Sequence, residues 1–79
     1  MDGANRIEQI REVHPWASEE EIRFVLMSRY WVLTRELQLE PNAVTAALEN
    51  CVLIYRRLTK QQMMEMIHRM KFNFLNQPK

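Results

Sequence analysis

A chain of 79 residues, 47% apolar and 27% charged, has the side chains for one folded domain and too little length for two. One cysteine excludes a disulfide-stapled scaffold and points to a reducing, intracellular setting, cytoplasmic or nuclear. The net charge of +1 excludes a polyelectrolyte binder acting through bulk charge, and no apolar run approaches the length of a membrane span. Residues 1 to 15 are polar, with no apolar stretch of the kind that a signal peptide carries. A single glycine and three prolines favour helices joined by short connections over a β architecture.

The pattern predicts four helices, at about residues 6–13, 18–39, 42–58 and 60–73, in an all-α compact bundle with the second helix longest. The first opens at Asn5, with Glu8 as the reciprocal capping partner, and places Ile7, Ile10 and Val13 along one edge. His14 precedes Pro15, and a residue before proline is pushed out of the helical region, so the helix stops there. Ser18 to Glu21 is a capping box with three carboxylates where the helix dipole favours them, and Trp16 is placed to staple onto Ile22. The second helix carries two apolar stripes. Ile22, Val25, Leu26, Leu33 and Leu37 fall on one side, and Phe24, Met27 and Trp31 nearly opposite. A strand over Tyr30 to Leu33 is the rival reading, but no turn residue separates that run from the helical pattern.

Pro41 suits a first helical turn, and Val44, Ala47, Leu48, Cys51, Tyr55 and Leu58 make one face of the third helix. Thr59 and Gln62 box the start of the fourth, whose apolar face is Met63, Met66, Ile67 and Met70, with Phe74 extending it if the helix runs on. Residues 1–4 and 76–79 are expected to fray.

No constellation of residues points to catalysis. His14 and His68 lie in different elements, and there is no glycine-rich phosphate loop and no pair of histidines at ligand spacing. Cys51 falls on an apolar face, the setting of an inert thiol. The chain is therefore expected not to be an enzyme and to need no cofactor or metal.

The second stripe carries the main functional expectation. A surface helix needs one apolar stripe to face its core, so Phe24, Met27 and Trp31 either sit in a bundle centre or bind a protein partner or a second copy. The methionines of the fourth helix serve a core or an adaptable binding groove. The charge is also uneven: residues 1–55 hold five arginines against nine acidic residues, and residues 56–79 hold six basic residues against one glutamate. Arg56, Arg57, Lys60, Arg69 and Lys71 thus form a second candidate set, as phosphate contacts to nucleic acid. Against it stand the near-neutral total and the lack of a polar recognition helix. No membrane partner is expected.

Ile10 to Pro15, followed by Ser18 to Ile22 and by Val25-Leu26, resembles the start of a CUE domain, within the UBA-like ubiquitin-binding group. Val13-His14-Pro15 stands in the place of that family's Met-Phe-Pro. Residues 42–52 correspond to its third helix, with Cys51 and Val52 in the di-leucine place. The resemblance implies a ubiquitin-binding patch of Val13, His14, Pro15, Cys51 and Val52. It departs from the family at His14, where an apolar residue is usual, and in a longer connection between Leu26 and Asn42.

Overall fold

A computed structural model describes residues 2–76, and the side chains of residues 5–76. Four α-helices follow one another: α1 (Asp2–Val13), α2 (Glu19–Trp31), α3 (Pro41–Arg57) and α4 (Lys60–Leu75). A π-helical turn, Val32–Glu36, continues α2. The all-α bundle is the predicted one, and no strand forms among the described residues. Tyr30 to Leu33 is helical.

Two of the three expected capping boxes are made. The Ser18 hydroxyl accepts from the Glu21 N–H and the Glu21 carboxylate accepts from the Ser18 N–H, at 3.0 and 3.1 Å. Thr59 and Gln62 repeat the exchange at 3.1 and 2.9 Å. Asn5 is not a cap, because α1 already begins at Asp2. Residues 2–4, expected to fray, are the first turn of that helix, whereas Met1 and residues 77–79 lie outside the described residues. Asn76 caps α4, donating its N–H to the Phe72 carbonyl. The apolar staple at the start of α2 belongs to Ala17, 1% exposed and in one cluster with Ile22, while Trp16 packs against that cluster one residue earlier.

The second helix is the largest departure from expectation. After Trp31 the ladder widens, and the Leu37 N–H donates to the Val32 carbonyl, five residues back. The Thr34 hydroxyl supplies a further donor to the Tyr30 carbonyl at 2.8 Å, beside the change of ladder. The chain then closes with Gln38 at φ 54°, and the Leu39 N–H reaches the Leu33 carbonyl at 3.0 Å. That closure is a Schellman-type cap one residue wider than usual, as the π turn requires. The α-helical part of the second helix is therefore 13 residues, and α3, with 17, is the longest α-helix. The wider turn also carries Leu37 off the core face, and it is exposed.

The core has two parts. The larger joins Ile7 and Ile10 of α1, Ala17 of the α1–α2 connection, Ile22, Val25 and Leu26 of α2, Val52 and Tyr55 of α3, and Met63 and Ile67 of α4. The smaller joins Leu33 to Val44 and Leu48. Val52 is a correction: it lies four residues from Leu48 on the inward arc of α3 and is 2% exposed, whereas Cys51 beside it is half-buried. Val13 is exposed rather than part of the α1 core edge. The fold measures 32 × 30 × 18 Å across its Cα atoms, so its short axis holds two layers of helices, each about 10 Å across with side chains. Among the described residues no third layer covers the outer side of α2.

Candidate functional site

The second stripe of α2 meets the end of α4. Two contacts fix how the helices lie. The Lys71 ammonium donates to the Glu21 carboxylate at 3.2 Å, and the Phe24 and Phe74 rings meet edge to face, 5.7 Å between centroids. Position 21 pairs with 71 and position 24 with 74, so α2 and α4 run side by side in the same direction. The α4 helix ends at Leu75, while α2 and its π turn continue to Glu36. The step between the two helix ends is an open groove of about 910 Å³. Phe24, Met27 and Trp31 line it from α2, and Met70 and Phe74 from α4. Ser28 lies between the aromatics of α2, one turn from each, and Glu36 and Asn76 stand among its few polar groups.

Exposure separates these side chains from the core. Met27 is 64% exposed, Trp31 52% and Phe74 62%, whereas Phe24 and Met70 are half-buried. The expectation that Phe74 extends the inward face of α4 is corrected: the helix does run that far, but the ring turns toward Phe24. The Arg35 guanidinium lies 4.7 Å from the Trp31 ring centroid, a cation–π contact between residues four apart that holds the indole against the π turn. Sequence reasoning missed Ser28 and Arg35 here, and it named Met70 on the apolar face of the fourth helix, for a core or an adaptable groove, without pairing it with the stripe of α2. The Trp31/Arg35 spacing was the one local signal available.

The remaining candidates are dispersed. His14 is buried at 2% exposure, and its Nε2 donates to the Tyr55 carbonyl at 2.9 Å. A carbonyl only accepts, so the ring nitrogen carries the proton there. With Val52 also buried, Val13, His14, Pro15, Cys51 and Val52 do not form one exposed patch; two of the five are core residues. Among the basic residues, Arg56 donates to the Gln9 carbonyl and to Glu12, tying α3 to α1. Lys60 lies over the Trp16 ring, and Lys71 is paired with Glu21. Arg57 and Arg69 are exposed and make no ion pair among the described residues.

Among the described residues the ionisation of Glu21 and of Tyr55 is displaced, and neither side chain lines the groove. The backbone N–H of Ser18, followed by Lys71, holds the Glu21 carboxyl below its usual range. Burial pushes the Tyr55 phenol well above its usual range, with neighbouring Cys51 adding to the shift and Arg29 partly offsetting it. Each shift follows from a structural contact. No group of three His, Cys, Asp or Glu side chains among the described residues is placed to hold a metal, and none of the described helices is long and apolar enough to cross a membrane.

Compared with protein-family models, with curated proteins and with solved structures, the chain matches none of them. The functional reading therefore rests on the groove itself.

Proposed function

We propose that this chain is a non-enzymatic protein–protein interaction module that docks its partner in the groove between α2 and α4. The observation that carries the reading is the exposure of Met27, Trp31 and Phe74 on one groove, beside a core that is complete without them. Isolated exposed apolar residues are ordinary on a protein surface, but a contiguous cluster containing Trp and Phe is the composition of a binding hot spot. The π turn supports the same reading, since such bulges concentrate at functional sites. The flexible thioether of Met27 and the polar groups of Glu36 and Asn76 beside the apolar stripe suit a partner that brings an apolar helix face.

The double variant Phe24→Gln/Trp31→Gln tests it. If the groove is a docking surface, circular dichroism shows the helicity of the parent, and association measured by sedimentation is lost. Loss of helicity would make the two aromatics core residues and end the reading. Unchanged helicity with unchanged association would end it as well.

A further inference from the structure

The groove continues a contact that α2 already makes with α4, and its lining carries one charge. We propose that its occupant is a helix of another protein whose apolar face ends in a basic side chain that pairs with Glu36. This rests on the reading of the groove as a docking surface, and three observations set the sign and the shape of the partner.

The first is the charge of the lining. Glu36 is the one ionisable side chain among the residues that line the groove, and it makes no ion pair among the described residues. Arg35 does not neutralise it: successive helical residues do not face each other, and the Arg35 guanidinium lies over the Trp31 ring, outside the lining. An acidic or phosphate-bearing partner would bring a like charge to that carboxylate, whereas a cation is attracted. The second is aromatic surface. Phe24, Trp31 and Phe74 line the same groove, and ring faces attract cations as the carboxylate does. The Arg35 contact shows the Trp31 ring in that use. The third is continuity. On the covered part of α2, α4 meets Glu21 with Lys71 and Phe24 with Phe74, a basic and an aromatic side chain one turn apart. Beyond the end of α4 the same face of α2 again offers an aromatic and an acid, Trp31 and Glu36. A helix laid there in the line of α4 meets the same chemistry that α4 meets. From Phe24 to Glu36 the wall runs roughly 18 Å at about 1.5 Å per residue, room for a helix of about three turns.

Two synthetic helical peptides of about three turns test the partner, with the same leucine face and with either lysines or glutamates at both ends, so that either direction of docking is sampled. Binding is read from the fluorescence anisotropy of the labelled peptide. The parent should bind the lysine peptide about 3-fold tighter at low salt, the worth of one exposed ion pair, and the two affinities should converge in about 1 M salt. Glu36→Gln should remove the preference, and Glu36→Lys should turn it toward the glutamate peptide. Phe24→Gln/Trp31→Gln should bind neither peptide, with helicity retained.

Equal affinity of the parent for the two peptides, or a preference for lysine that persists in Glu36→Gln, overturns the basic partner while leaving the groove as a docking surface. A parent that prefers the glutamate peptide assigns an acidic partner instead and overturns it as well. A parent that binds neither peptide at about 1 mM also overturns it, and sedimentation of the double variant then decides the groove reading by itself. If the double variant unfolds, the groove reading falls together with the basic partner.

Discussion

Replacing His14 with Phe isolates one hydrogen bond between elements far apart in sequence. The His14 ring is 2% exposed, meets Trp16 edge to face at 5.6 Å, and donates from Nε2 to the carbonyl of Tyr55 near the C-terminus of α3. Phenylalanine keeps the ring and its edge contact and removes the donor. The Tyr55 carbonyl does not become a complete orphan, because the Leu58 N–H still reaches it at 3.3 Å. The expected cost therefore lies toward the lower part of the range for an unmade buried hydrogen bond, about 1–2 kcal/mol. A domain of this length has a total stability of about 4–12 kcal/mol, so the change is a visible fraction of it. The thermal midpoint should fall by about 5–15 °C, and the urea midpoint should fall with an unchanged slope. His14→Gln places an amide donor near the same atom and should recover part of the loss. A Phe variant as stable as the parent would show that the ring is held by packing alone and would refute the reasoning.

Leu26→Ala and Leu48→Ala should each cost about 2–5 kcal/mol in urea denaturation, since both side chains are buried in a core cluster. Melts that overlay the parent would remove those assignments. Gln38→Gly should stabilise the chain by about 0.5–1 kcal/mol, because φ 54° strains a residue with a Cβ and suits glycine; an unchanged or lower midpoint contradicts that account. Glu21 has a depressed folded-state pKa, so its contribution is present above the ordinary value of 4.5 and is lost as pH falls through the folded value. The acid limb of stability should therefore be shallower in Glu21→Gln than in the parent, read from urea midpoints across that window.

Features set by neighbouring residues were legible in the sequence. The capping boxes at Ser18 and Thr59 and the proline start of α3 depend on residues within one turn, and they formed as expected. Features set by distant residues were not. His14 looks like a surface polar residue until the end of α3, 41 positions away, supplies its acceptor. The Cys51/Val52 pair sits on an arc where the helical period cannot choose between neighbours, and packing against α1 and α2 turned Val52 inward. The π turn has no single-residue signature; Thr34 and Gln38, which accommodate it, are compatible with an ordinary helix end. At the groove, Phe24, Met27 and Trp31 were visible as a stripe. Their pairing with Phe74 was hidden because it depends on how α4 lies beside α2.

The π turn also couples the smaller core to the groove. Leu33 lies inside that turn and packs on Val44 and Leu48, while Trp31 and Val32, at its start, line the groove on the other side. The larger core does not include this turn: its residues from α2 stop at Leu26. The direction in which Trp31 projects is thus set by three buried residues and by the Arg35 contact, rather than by the main body of the fold. The two leucine variants should therefore differ in kind. Leu26→Ala weakens the whole bundle and leaves the groove in register, whereas Leu48→Ala loosens the support of the π turn. Association through the groove should then be impaired in Leu48→Ala even at temperatures where helicity is retained, and Leu26→Ala should keep it until the chain unfolds. Equal association in the two folded variants would mean that the groove is held by α4 alone.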